Sequence, residues 1–151
     1  MIGRILRRVK TDVFKLIHNK YRDCILYDTP KVYFQNRVYI GKNTTINDSV
    51  FIHAAGGVSI GENCTISHGV TILSTELDVN KWVKRDPYND LHLEKKVEIG
   101  NNVWLCANVT VCPGIRIEDN CVIAAGSVVV KDCEGGYLYG GVPAKKIRKL
   151  Q

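Results

Sequence analysis

The sequence predicts an all-β fold: a parallel β-helix of six-residue repeats, with an N-terminal amphipathic helix, a long loop insertion and a short C-terminal helix. Three observations carry this. Ile99, Leu105, Val111, Ile117, Ile123 and Val129 recur with a strict step of six. A helix repeats near 3.6 and a strand at 2, whereas a period of six is the hexapeptide signature of a parallel β-helix. The residue after each aliphatic is usually small (Gly100, Cys106, Cys112, Ala124), and the fourth after it is small or branched (Val103, Val109, Ile115, Cys121, Ser127, Cys133). An earlier block repeats the step at Ile40, Ile46 and Ile52 and again at Ile60, Ile66 and Ile72. Three six-residue faces close one triangular coil, so Ile99 is expected beneath Ile117 and Leu105 beneath Ile123. The aliphatic residues fill the prism, and the small ones let the chain turn its corners.

At 151 residues the chain is expected to form one domain with a continuous core. No run approaches the ~20 apolar residues of a membrane span, and no cleavable signal peptide is evident. Of the net charge of +6, residues 1–23 hold +5: seven Lys or Arg against two Asp. No basic face runs along the repeats, so nucleic acid is not an expected partner. The six cysteines include no C-x-x-C pair and read as buried small hydrophobes in a reducing cytosol.

Taken in order, residues 1–23 form a basic amphipathic segment. Ile2, Leu6, Val9, Val13 and Ile17 make one stripe at steps of three and four, with Arg4, Arg7, Arg8 and Lys15 around it. Such a helix either packs on the β-helix end or a neighbouring subunit, or binds an anionic lipid surface. Residues 24–37 read as an extended lead-in, with a turn at Thr29-Pro30. The β-helix spans 38–150, interrupted by a loop over about 74–96. Two extra residues at Ala54-Ala55-Gly56-Gly57 break the register before Ile60, which marks a bulge that re-aims side chains. The 74–96 insertion contains Trp82, Tyr88 and His92 among many charges. An insertion this long is usually functional or disordered, and its aromatics favour a folded cover. Glu134-Gly135-Gly136 and Gly140 to Pro143 are turns, and Ala144 to Leu150 reads as a short basic helix closing the coil.

Ile99-Gly-Asn-Asn-Val-Trp104, Ile123-Ala-Ala-Gly-Ser-Val-Val129 and Gly141-Val-Pro-Ala-Lys145 resemble the hexapeptide-repeat acyltransferases, whose β-helix is left-handed. Within that group the chain looks most like the maltose and galactoside acetyltransferases and the bacterial polysaccharide O-acetyltransferases. The resemblance implies a cytoplasmic homotrimer that uses acetyl-CoA, with its site built between subunits. It implies transfer of acetyl to a hydroxyl of a capsule or lipopolysaccharide sugar by direct attack. It further implies a coenzyme A track along Ala107, Ala125, Gly126 and Ser127, with Lys131, Lys145 and Arg148 near the phosphates. The loop's Asp78 and Trp82 and the repeat's Trp104 are the candidate acceptor contacts.

Acyl transfer needs a base near neutral pH, and histidine is the natural one. His18 lies on the helix and His68 inside a regular hexad, facing outward; His53 precedes the register break and His92 ends the loop. The sugar acetyltransferases carry their catalytic histidine early in the loop, where this chain has Glu76-Leu77-Asp78. His92 and His53 are therefore the candidate bases, in that order. Serine acetyltransferase looks similar around His53-Ala-Ala-Gly-Gly and near His92. No metal is expected, because the close histidine pair of the trimeric zinc enzymes with this coil is missing. N-acetylation of an amino-sugar nucleotide or of serine, and a non-catalytic trimeric scaffold, are the alternative functions.

Overall fold

A computed structural model describes residues 2–84 and 90–151. Its body is a left-handed parallel β-helix of three flat faces. The first face stacks Ile25–Leu26, Thr45–Ile46, Thr65–Ile66, Trp104–Leu105, Val122–Ile123 and Tyr137–Gly140. The second stacks Lys31–Tyr33, Phe51–His53, Thr71–Leu73, Thr110–Val111 and Val128–Val129; the third stacks Val38–Ile40, Val58–Ile60, Val97–Ile99 and Arg116–Ile117. The expected registers hold, with Ile99 paired to Ile117 and Leu105 to Ile123. Each repeat points two residues inward. The aliphatic and the residue four after it are both buried, as at Ile99 with Val103, Leu105 with Val109 and Ile117 with Cys121.

The corners are made by a residue the small-residue pattern did not mark. Three positions after the aliphatic, the backbone is left-handed at Asn43, Ser49, Asn63, Gly69, Asn102, Asn108, Gly114, Asn120 and Gly126. Glycine adopts this conformation freely, and asparagine most readily among the rest. The small residue just after the aliphatic serves coil contact instead. A Cβ on Gly61 would lie 2.5 Å from the Gly100 carbonyl oxygen. The free cysteines Cys24, Cys64, Cys121 and Cys133 are buried, and burial pushes the Cys133 thiol up to about 12.

Two expectations need correction. The β-helix starts below residue 38, since Ile25 pairs with Thr45 and Val32 with Ile52. Leu26, Val32 and Ile40 repeat the spacing of Ile46, Ile52 and Ile60, so the lead-in is itself a coil. The C-terminal segment is not a helix. Lys145–Lys149 is a strand antiparallel to Tyr137–Gly140. The Gly140 to Pro143 turn folds it back, and its backbone covers the open edge of the first face, which a helix there would leave unpaired.

Helix α1 (Ile2–Ile17) closes the other end, but not through its apolar stripe. Thr11 is buried and Phe14 packs on the core, 4.9 Å from the buried Tyr21 ring. His18 joins that contact, 4.6 Å from Phe14, and is not a free surface residue. Val9 and Val13 lie roughly opposite on the helical wheel, Leu6 and Ile17 flank them, and all four are exposed.

Candidate functional site

The 74–96 insertion leaves the prism at the corner between the second and third faces, because it joins Thr71–Leu73 to Val97–Ile99. It folds as an arm. Thr75–Leu77 pairs antiparallel with His92–Glu94, and a six-residue helix α2 (Val79–Lys84) follows the first strand. Tyr88 lies outside the described residues. The arm is seated on the register break. Lys95 N–H donates to the Ser74 carbonyl at 2.8 Å, Gly56 N–H donates to Ser74 Oγ at 2.9 Å, and Ser74 Oγ–H donates to the His53 carbonyl at 2.9 Å. Arg37 ties the same corner by donating to Glu94 at 2.8 Å and to the Ala55 carbonyl.

This scaffold brings both candidate bases to one corner. His53 ends its strand with its ring 5.8 Å from Tyr33 and 5.3 Å from Phe34, and its Nδ1 is buried without a partner among the described residues. His92 is exposed on the arm and stands directly opposite Leu77. Directly opposite residues of an antiparallel pair hold their side chains on one face, with Cβ atoms about 4.5–5.5 Å apart. Trp82 sits on α2, half exposed. Asp78 is placed differently from expectation: its Oδ1 accepts from Asn80 N–H at 3.0 Å and Lys81 N–H at 3.2 Å. That carboxylate caps α2.

The carrier-track candidates lie at another corner, between the first and second faces. Ala107 and Ala125 stack there, since Leu105 pairs with Ile123 and Gly126 N–H donates to the Ala107 carbonyl at 2.9 Å. Ala125 and Gly126 are exposed, and a Cβ on Gly126 would meet nothing within 4 Å, so the column is open above them. Ser127 is a correction. It is fully buried, its hydroxyl donates to the Ala124 carbonyl at 2.6 Å and accepts Gly141 N–H at 3.1 Å, so the turn consumes it. Lys145 pairs with Gly140 at the top of this corner, and Arg148 lies along the same strand. Lys131 follows Val128–Val129 and so belongs to the corner of the arm, not of the alanine column.

One pair escaped the sequence reading. His68 Nδ1 lies 3.0 Å from Asp48 Oδ2 on the outer surface. Each is the second residue after a paired isoleucine, Ile46 and Ile66, so stacking the repeats would have found it. Next to it, Trp104 Nε1–H donates to Ser67 Oγ at 3.1 Å. Among the described residues no cluster of three or more metal-ligating side chains occurs.

Residues 96–131 match the family model described as bacterial transferase hexapeptide (six repeats), and residues 36–74 match that of the hexapeptide repeat of succinyl-transferase. The chain is 36% identical over 123 residues to the galactoside O-acetyltransferase of Escherichia coli K12, covering 80% of this chain and 59% of that protein. It is 32% identical to the putative lipopolysaccharide biosynthesis O-acetyl transferase WbbJ of Escherichia coli K12, over 74% of this chain and 60% of that one. The crystallised galactoside acetyltransferase in complex with coenzyme A superposes with a TM-score of 0.76 and 30% identity, over 85% of this chain and 64% of that one. The chain thus spans about three fifths of the length of the curated relatives it matches.

Proposed function

The chain belongs to the hexapeptide-repeat acyltransferase family, and on that premise we propose that it is an acetyl-CoA-dependent O-acetyltransferase. It acts as a cytoplasmic homotrimer on a hydroxyl of a sugar or glycan of the capsule or lipopolysaccharide type. The observation that carries the mechanism is the arm: antiparallel pairing puts His92 across from Leu77, at the early part of the loop where the sugar acetyltransferases keep their base. The two ends of the loop are neighbours in space, so a histidine at the far end reaches the same place.

The alanine column fits a coenzyme A arm, with open space beside Ala125 and Gly126 and the Lys145 and Arg148 cations toward its end. Bound acetyl-CoA supplies an activated thioester. His92 takes the proton of the acceptor hydroxyl as its oxygen bonds to the acyl carbon. It returns that proton to the sulfur as the carbon–sulfur bond breaks. His53, its ring held between Tyr33 and Phe34, orients the acceptor from the same corner. The arm and the alanine column occupy different corners of one prism. In the homotrimer the arm of one subunit meets the column of the next, so that each site is shared between two subunits. Free-thiol release from acetyl-CoA across a panel of sugar acceptors tests the reading. Light scattering that gives a monomer at micromolar concentration removes the shared site.

Lys145→Ala and Arg148→Ala weaken coenzyme A binding by about 1.5–3 kcal/mol per charge-assisted contact. The loss is larger for coenzyme A than for dephospho-coenzyme A if they grip the ribose phosphate, and calorimetric titration with both ligands checks it. Lys131→Ala has this effect only if the trimer carries its corner to a neighbour's column.

The exposed stripe of α1 supports a peripheral contact with an anionic membrane, since the helix turns its other face to the body and the first 23 residues carry +5 from seven bases and two acids. Leu6→Gln with Val9→Gln and Val13→Gln keeps good helix formers in place. It abolishes co-sedimentation with vesicles containing phosphatidylglycerol. A change in oligomer mass instead would mean that another copy covers the stripe.

A further inference from the structure

Asp48, His68, Ala107 and Ala125 hold the same position in four successive coils, each the second residue after the paired column Ile46, Ile66, Leu105 and Ile123. Backbone bonds fix the column: Gly69 N–H donates to the Asp48 carbonyl at 3.3 Å and Asn108 N–H to the His68 carbonyl at 2.9 Å. Coils stack about 4.8 Å apart, so His68 lies roughly one spacing below Ala107 and Asp48 one below that. An exposed side-chain pair of this kind adds little to stability. Here it lies below two alanines of the same column and above Asp28, the second residue after Leu26, whose carboxylate is taken up by Lys10 at 3.0 Å. Beside it the Trp104 indole is pinned by its bond to Ser67, the residue before His68, and shows half its surface to solvent. An aromatic plate, an imidazole and a carboxylate thus form one patch below the open column.

We propose that this patch is the acceptor subsite, and that it takes a pyranose ring with two free hydroxyls. This rests on the acetyl-transfer reading for its role and on the side-chain geometry for its ligand. The apolar face of the sugar lies on the fixed indole. Its hydroxyls donate to Asp48, whose carboxylate has lone pairs beyond the one facing His68, and meet the outer nitrogen of His68. A hydroxyl held there stands next to the low end of the alanine column, within reach of a base on a neighbour's arm. Asp48 supplies a carboxylate at this corner, whereas that of Asp78 stands on the arm and caps α2 through its Oδ1.

Asp48→Asn and His68→Ala, assayed with methyl β-galactopyranoside or maltose as acceptor, should each raise the acceptor KM about 10- to 100-fold, the loss expected for a hydrogen bond to a charged group. Coenzyme A affinity and oligomer mass should stay as in the wild type. Unchanged KM in both variants overturns the subsite. A fall in kcat at constant KM overturns it too, because it makes His68 the base. Saturation-transfer NMR reads the same patch without turnover: wild type gives a signal from the sugar and Asp48→Asn loses it, even if no acetyl is ever transferred. No signal from wild type with either sugar overturns the carbohydrate assignment, whereas a signal without thiol release sinks only the acetyl-transfer reading.

Discussion

His92→Ala lowers kcat by roughly 10²–10⁴, the usual contribution of a positioned base, and leaves coenzyme A affinity nearly unchanged. The side chain is exposed on an arm, so its removal takes no core contact and should not cost stability. That separates a chemical loss from a folding loss: the melting temperature stays put while turnover falls. His53→Ala is the paired measurement. If it only orients the acceptor, the acceptor KM rises and kcat is largely kept; if the roles are exchanged, so are the phenotypes. The geometry adds a second readout. His92 is carried at one corner of the prism and the alanine column at another. Mixing His92→Ala subunits with Ala107→Phe subunits should therefore recover turnover that neither variant shows alone, because some interfaces then join an intact arm to an intact column. Wild-type turnover in both single histidine variants, with a competent acceptor, would remove the histidine-base mechanism.

The β-helix was legible because its signal is periodic and its cause is local. An inward aliphatic every six residues has no other home, and Ile99 beneath Ile117 followed directly. Where periodicity stops, so did the reading. Tyr137–Gly140 and Lys145–Lys149 pair through backbone across a tight turn, and five mostly basic residues look alike as a helix or an edge strand. The arm is the same case. His92 reaches Leu77 only through antiparallel pairing, which leaves no trace in spacing. Other misses were readable in principle. Leu26 and Val32 already carry the step of six, and Asp48 and His68 occupy one lattice position once the two extra residues are counted. Ser127 shows the opposite failure. The family resemblance implied a ligand contact there, but the position four after an aliphatic points inward, and its hydroxyl closes the turn.

Gly56→Ala should damage stability and turnover together, because that glycine is where the arm meets the coil. Added there, a Cβ would lie 2.4 Å from the Ser74 carbonyl oxygen and 2.5 Å from the Lys95 nitrogen. Both are backbone atoms, so no rotamer change relieves the clash. They are also the two partners of the 2.8 Å bond that closes the base of the arm. Ser74 is buried and bonds both Gly56 and His53, which leaves it little room to move. The methyl must push both strands of the arm outward. Overpacking of this kind costs about 1–3 kcal/mol, a fall in melting temperature of several degrees for a domain of this size. A base displaced by about 1 Å can lose 10² in rate, so kcat should drop with it. Coenzyme A affinity should change least of the three, since the variant leaves every residue of the alanine column in place. Thermal unfolding, turnover and calorimetric titration on the one variant check all three. A variant that melts and turns over like the wild type would show that the arm is not seated through Gly56, and would free His92 from the geometry on which its role as base depends.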